Sequence, residues 1–235
     1  MSTRGEAPEA GFSEILLSAL APDGGLYQPR DWPALTSDDL SAFRRASYVD
    51  VARKVLSGFA TTSFIAEEIT ADVTAAYATF NTSAVAPLVE VGRGLFIMEL
   101  FHGPTLAFKD VALQVLGRLF ARALAKKGGR ATVVVATSGD TGSAAIAALG
   151  GLKNIDVFVL HPHNRVSEVQ RRQMTTSTHA NVHNIAIHGT FDDAQALVKA
   201  LFADTAFAKA VSLTAVNSIN FARIAAQAVY YITGS

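Results

Sequence analysis

The sequence predicts an α/β protein in which a parallel sheet with helices on both faces follows a small, mainly helical N-terminal unit. From residue 131 onward, short apolar runs alternate with segments whose apolar residues recur at helical spacing. The runs are apolar almost throughout, which is typical of strands buried on both faces of a parallel sheet. Before residue 84 the periodicity is helical only. We therefore divide the chain into a helical unit over residues 1–84 and an α/β unit over residues 85–235.

The composition excludes several classes of protein. Half of the 235 residues are hydrophobic, which is enough for a sizeable core, and only 17% are charged. Twenty basic and twenty acidic residues cancel, so bulk charge does not favour nucleic acid or an anionic membrane as a partner. The absence of cysteine excludes disulfides, thiolate nucleophiles and cysteine-ligated metals. No secretory signal or membrane span is recognisable, and we expect a cytoplasmic protein whose oligomeric state the sequence does not indicate.

The N-terminal unit is predicted to contain four helices. The string APDGG at residues 21–25 ends the first of them with a turn. Ser37 begins the second, because its hydroxyl can cap the first backbone N–H groups and the acidic Asp38 and Asp39 favour the positive end of the helix dipole. The other predicted helices cover residues 12–20, 48–59 and 63–80.

The pattern changes after Pro87. Two short apolar segments flank a Gly-Arg-Gly turn and predict a hairpin or a pair of strands, over residues 88–91 and 95–98. A long helix begins near Lys109 and closes at the Lys-Lys-Gly-Gly of residues 126–129. Strand and helix then alternate, with strands predicted over residues 131–136, 155–160, 182–187 and 211–216, and helices over residues 143–149, 166–176, 192–202 and 220–232.

Lys109 is the first candidate for chemistry. It follows the apolar triplet Leu-Ala-Phe, and a turn at Gly103 and Pro104 sets the backbone before it. An ammonium group held against apolar surface loses hydration, so the amine deprotonates more readily and can attack a carbonyl to form a Schiff base. Position alone does not decide this role, because a lysine near a helix start ordinarily extends into solvent.

The loop ATSGDTGS, at residues 136–143, is the second candidate site. It lies where a predicted parallel strand passes into a helix, the edge at which open α/β sheets bind ligands. Backbone N–H groups at a helix start favour an anion, and Ser138 and Thr141 add hydroxyl donors. The same residues also fit an ordinary loop in which Asp140 or Thr141 only caps the helix. The residues alone leave both interpretations open.

Two further groups of polar residues have a simple structural alternative. Asn217 and Arg223 could clamp a phosphate group, whereas Asn217 and Ser218 could equally cap the last helix. The histidine pairs 161/163 and 179/183 have spacings that a metal could use. No cysteine or acidic cluster supports them, so we predict no metal site.

Four segments resemble the threonine synthase family, namely LFHGPTLAFKD (residues 100–110), APDGGLYQP (21–29), SGDTG (138–142) and NSINFAR (217–223). The resemblance implies the tryptophan synthase β-like fold, also called fold type II of the pyridoxal-phosphate enzymes. It also implies pyridoxal 5'-phosphate held covalently on Lys109, and conversion of the small-molecule substrate O-phospho-L-homoserine, with water, to L-threonine and phosphate. It further implies that Ser138 and Thr141 bind the substrate carboxylate, as the matching loop does in members of that family.

The same resemblance implies roles for the remaining candidates. Asp140 would orient the loop or touch the cofactor, because a carboxylate would repel the substrate carboxylate. Asn217 and Arg223 would bind the substrate phosphate. Family members are longer and also carry a glycine- and asparagine-rich loop around the cofactor phosphate, which is not found before Ser235. We therefore expect the chain to be the N-terminal portion of such a protein.

Two alternatives remain open from the sequence. One is a non-catalytic fragment or binding module with the same fold, which the missing phosphate loop favours and the intact Lys109 opposes. The other is a related pyridoxal-phosphate lyase, either a dehydratase or a β-replacement enzyme, which the HGPTLAFKD segment opposes. A nucleotide-binding Rossmann protein is disfavoured because neither GxGxxG nor a P-loop motif follows any predicted strand.

Overall fold

The computed structural model describes residues 1–18, 20–60, 62–216 and 220–235. Four helices form the N-terminal part: α1 (Phe12–Ser18), α2 (Ser37–Phe43), α3 (Tyr48–Ala60) and α4 (Ala66–Tyr77). Thr36 caps α2 in a capping box with Asp39, so the predicted start is confirmed and the cap lies one residue earlier. The fourth helix is shorter than predicted because Glu68 bonds to the N–H of Ile65 and sets its start there. The mainly helical N-terminal unit is thus confirmed.

An antiparallel hairpin and a long helix connect this part to the sheet. The hairpin pairs β1 (Leu88–Gly92) with β2 (Leu95–Met98), as predicted. Helix α5 (Lys109–Lys127) begins at the candidate lysine and ends at Gly128, whose φ of 77° is accessible to glycine at little cost. Both α1 and α4 pack on α5, which makes this helix the centre of the main hydrophobic core.

The remaining elements alternate as expected. The strands are β3 (Ala131–Ala136), β4 (Ile155–Pro162), β5 (Val182–Ile187) and β6 (Leu213–Thr214), and the helices are α6 (Asp140–Leu149), α7 (Glu168–Thr175), α8 (Phe191–Ala203), α9 (Thr205–Ala210) and α10 (Phe221–Thr233). The four strands form one parallel sheet in the order β5-β4-β3-β6. Alternate residues of each strand face opposite sides of this sheet.

Helices cover both faces of the sheet. On one face Val133, Val135 and Val157 belong to the main core, which they share with α5 and α6. On the other face Val134 and Leu160 pack with Ala194 of α8 in a second, smaller core. Burial on both sides explains the nearly unbroken apolar strands, and the predicted fold class is confirmed.

One helix was not predicted, and several element boundaries differ from the predictions. Helix α6 starts at Asp140, three residues early, because the hydroxyl of Thr137 accepts the backbone N–H of Gly142 and satisfies part of its first turn. The short helix α9 was not predicted, and it takes up residues just before the last strand. Strand β6 is shorter than predicted and consists of the two residues that pair with β3. None of the described helices is long and apolar enough to cross a membrane.

Candidate active site

The loop between β3 and α6 lies at the carboxyl edge of the parallel sheet, where the sequence predicts a ligand site. The hydroxyl of the buried Thr137 accepts the backbone N–H groups of Gly139 and Gly142, each at 2.9 Å. Gly139 has a φ of 145° and a ψ of −80°, a conformation that favours glycine. These features hold the loop in one shape in front of the helix.

Lys109 is brought to this loop by the start of α5. Its Nζ lies 3.1 Å from Oδ2 of Asp140 and 4.4 Å from the centre of the Phe108 ring. Only 17% of the lysine side chain is exposed. The amine is therefore held between a carboxylate and an aromatic face, rather than extending into solvent.

Asp140 is held at both of its oxygens. While Oδ2 accepts from Lys109, Oδ1 accepts a hydrogen bond from Nε2 of Gln170 in α7. Ser167, the N-cap of α7, donates its hydroxyl to Oε1 of the same glutamine at 2.9 Å. Sequence reasoning missed Gln170. The Ser-x-x-Gln spacing is a recognisable signal for a helix start, but it does not show that the glutamine reaches another loop.

The backbone before Lys109 is anchored by Asp110. This carboxylate is fully buried and accepts the N–H and the hydroxyl of Thr105, each at 2.7 Å. A Cβ at Gly103 would overlap Asp110, so only glycine fits there. Burial raises the pKa of the Asp110 carboxyl, and the bonds from Thr105 oppose part of that shift. Sequence reasoning missed this support, because burial of one acid is not visible in a linear pattern.

A histidine contact braces the same segment. The ring nitrogens of His102 lie 2.8 Å from Oδ1 of Asn81 and 2.8 Å from Oε2 of Glu99, with the donor roles set by the tautomer. The backbone carbonyl of His102 also accepts the N–H of Asn81 at 3.0 Å. The segment that precedes Lys109 is thereby tied to the end of the N-terminal helices.

The other predicted residues fall in different surroundings. Ser138 is exposed and Thr141 is half-buried, and both flank Asp140 in the loop. Within the described parts of the chain, neither hydroxyl makes a side-chain hydrogen bond. Their assignment to a substrate carboxylate stays a prediction. Asn217 lies outside the described residues.

Arg223 lies in the first turn of α10 and is only 4% exposed. Its Nε has no hydrogen-bond partner among the described residues, and burial lowers the pKa of the guanidinium. The residues described give it no contact with Lys109 or Asp140. The structure therefore joins Lys109 to Asp140 but does not join Arg223 to them, and its predicted role in phosphate binding stays a prediction.

The histidine pairs do not form a metal site in the described parts of the chain. Among residues 1–18, 20–60, 62–216 and 220–235, no group of three or more histidine, aspartate or glutamate side chains is placed to hold a metal ion. His183 instead stacks on the ring of Phe158, with ring centres 4.5 Å apart.

Two protein-family models match this chain, one over each of its two parts. The model described as "Pyridoxal-phosphate dependent enzyme" matches residues 82–233, well over half of the chain. The chain belongs to this family. A second model, "Threonine synthase N terminus", matches residues 1–77.

Relatives within the family point the same way. A threonine synthase from Pseudomonas aeruginosa is 52% identical over 98% of this chain and 49% of its own length. Among solved structures, a pyridoxal-phosphate-bound threonine synthase from Brucella melitensis has a TM-score of 0.94 and 54% identity, over all of this chain and 50% of that one. The yeast threonine synthase has a TM-score of 0.91 and 41% identity, over all of this chain and 48% of that one. The fold implied by the sequence resemblance is confirmed.

The chain spans about half the length of the curated relatives that it matches. This agrees with the prediction that it corresponds to the N-terminal portion of such a protein. Pyridoxal phosphate is the cofactor of the family, and the half-buried amine of Lys109 at the sheet edge fits its aldehyde. The site residues described here thus suit the attachment of this cofactor.

Proposed function

We propose that the protein containing this chain is a threonine synthase, which converts O-phospho-L-homoserine and water to L-threonine and phosphate. The observation that carries the proposal is the half-buried amine of Lys109, 3.1 Å from Asp140 at the carboxyl edge of the sheet. Its segment and the whole chain align with proteins named threonine synthase. A cytoplasmic location and a small-molecule substrate belong to the same proposal.

Lys109 has two roles in this proposal. Its amine would hold pyridoxal phosphate through the aldehyde of that cofactor, and Nζ, when free, would move protons on the substrate. When bound, the cofactor supplies an electron sink for the carbanions that the reaction requires. Asp140 accepts a hydrogen bond from Nζ and so fixes where the amine stands. The ring of Phe108 excludes water from one side of the amine.

The remaining residues are assigned by their chemistry. Ser138 and Thr141 offer hydroxyl donors beside the start of α6, where backbone N–H groups favour a carboxylate. Arg223 carries a buried guanidinium that suits a phosphate group, and Asn217 would assist it. The lone acid in the loop, Asp140, is directed at the lysine and so does not oppose binding of an anion at the hydroxyls.

Covalent trapping tests the proposal. The protein containing this chain is incubated with pyridoxal phosphate and reduced with borohydride, and the modified lysine is located by mass spectrometry. We expect the label on Lys109, its loss in Lys109→Ala, and no effect of Lys153→Ala, an exposed lysine outside the site. Release of phosphate from O-phospho-L-homoserine should fall by at least about 10²-fold in Lys109→Ala, since the proton-transfer group is lost.

Two outcomes would contradict the proposal. Label on another lysine would remove Lys109 from the reaction. Label on Lys109 without threonine formation, but with deamination or β-replacement of another amino acid, would identify a related pyridoxal-phosphate lyase instead.

A further inference from the structure

Four side chains form a continuous line from α7 to the amine of Lys109. Ser167 donates its hydroxyl to Oε1 of Gln170 at 2.9 Å, and Nε2 of Gln170 donates to Oδ1 of Asp140. Oδ2 of Asp140 then accepts from Nζ of Lys109 at 3.1 Å. The line joins the N-termini of three helices, because Ser167 is the N-cap of α7, Asp140 is the first residue of α6 and Lys109 is the first residue of α5.

The amide of Gln170 can take only one orientation in this line. Turning it over would place its carbonyl oxygen against the carboxylate oxygen of Asp140, and two acceptors repel each other. The backbone of Gly139 leaves the room for it, because a Cβ on Gly139 would overlap the Gln170 amide. The loop therefore has a glycine where the glutamine side chain crosses it.

Asp140 needs such a contact to stay in place. Its side chain is 43% exposed, and an exposed carboxylate on a short side chain has several accessible rotamers. Lysine is more flexible still, with four carbons between backbone and amine. A hydrogen bond to the second oxygen of Asp140 leaves one rotamer favoured, and that rotamer directs Oδ2 to Lys109.

We propose that Gln170 is a positioning residue that acts through Asp140 to hold the amine of Lys109 in the orientation in which it meets the cofactor aldehyde. The inference rests on the proposed function only in taking Lys109 as the lysine that holds the cofactor. Gln170 itself need not touch the cofactor or the substrate. Its effect is to limit the directions from which the amine can approach.

The test is a double-mutant cycle on the rate at which Lys109 takes up the cofactor, in the protein containing this chain and without substrate. The variants are Gln170→Met, Asp140→Ala and the pair together, with attachment followed by borohydride trapping and by the visible absorption band of the bound cofactor. We expect each single variant to slow attachment by roughly tenfold, the size typical of a lost hydrogen bond to a charged group. The pair should be no slower than Asp140→Ala alone, because Gln170 acts through Asp140.

Controls separate positioning from general stability. Gln227→Met makes the same change on α10, where the amide bonds only to Tyr230 among the residues that the structure describes, and it should leave the attachment rate unchanged. Gln170→Glu keeps the shape but sets a second carboxylate beside Asp140, and it should slow attachment at least as much as the methionine. This variant also serves as the test if Gln170→Met fails to fold, as judged by circular dichroism.

Two results would overturn the inference, and a third would overturn the proposed function instead. Effects of Gln170→Met and Asp140→Ala that simply multiply in the pair would show that Gln170 acts independently of Asp140 and would overturn the inference. An unchanged rate in Gln170→Met would do the same. Absence of label on Lys109 in the unaltered protein would instead overturn the proposed function, which distinguishes the two failures.

Discussion

Asp110 shows how one buried side chain sets the backbone of the active site. Its carboxylate follows Lys109 directly and accepts two hydrogen bonds from Thr105. The side chain of Gln173 in turn donates to the carbonyl of Thr105 at 3.0 Å, which adds α7 to the same support. The turn before the lysine is thus held by hydrogen bonds from Thr105 to Asp110, five positions later, and from Gln173 of α7 to Thr105.

The pH dependence of stability should report on Asp110. Burial raises its pKa in the folded state above the value of about 3.9 in the unfolded chain. A carboxyl with a raised folded pKa contributes stability that is fully present below the unfolded pKa and is lost as pH rises through the folded pKa. Relative to Asp110→Asn, the original protein should therefore lose free energy of unfolding as pH rises from below about 4.

Denaturant unfolding of both proteins across a pH series measures this difference. The other carboxylates titrate in both proteins, so their contributions cancel. A difference in free energy of unfolding that stays constant with pH would show that burial does not perturb Asp110.

At the scale of elements, the hairpin and the parallel sheet are both rich in apolar residues, but the hairpin is exposed and the two central strands of the sheet are buried. Leu95, Phe96 and Ile97 are as apolar as any strand of the sheet, yet all three are exposed. Strand β4 begins with Ile155, which pairs with Ala131 and lies in the main core. Hydrophobicity alone therefore predicts that both are strands, but it does not predict which is buried in this chain.

The same substitution in the two elements should have different consequences. Ile97→Thr, at a residue that is 52% exposed, should change the free energy of unfolding by less than about 0.5 kcal/mol. Ile155→Thr, at a residue that is 1% exposed, should cost about 2 kcal/mol or more, because it removes buried apolar surface and leaves a hydroxyl to be satisfied. Denaturant unfolding of this 235-residue chain compares the two directly. Equal costs would show that the hairpin is packed against the rest of the molecule.

At the scale of the whole molecule, one core joins the helical unit to the α/β unit. Leu16 of α1, Leu56 of α3 and Val229 of α10 are all fully buried in it. The side chain of Asn220 adds a polar link, since it donates to the carbonyl of Leu16 at 3.0 Å while capping α10. The boundary proposed between residues 84 and 85 therefore marks a change of secondary structure within a shared core.

Trp32 can test whether the two units unfold together. It is the only tryptophan in the sequence, and its ring centre lies 6.3 Å from Phe59 of α3 and 6.3 Å from Phe221 of α10. Because the core is shared, tryptophan fluorescence and far-ultraviolet circular dichroism should report the same denaturant midpoint. A fluorescence transition at lower denaturant would show that the helical unit separates first, as independent domains would.

The sequence by itself determined the class of fold and the candidate lysine. Local patterns indicated nearly every helix and strand, because burial on one face leaves a periodic repeat and burial on both faces leaves an unbroken apolar run. The short helix α9 escaped because six residues are too few for a helical repeat to show. The Lys109 segment was recognisable because its eleven consecutive residues form a sequence motif specific to one family.

Only the tertiary structure decided what surrounds that lysine. Asp140 is 31 positions from Lys109, and Gln170 is a further 30 positions along the chain. Their contact depends on how α5, α6 and α7 pack around the parallel sheet, a geometry that no local pattern encodes. Burial of Asp110 and Arg223 is likewise a property of the packed molecule. Residue types can suggest which groups are able to react, but the packing of distant segments determines which of them meet.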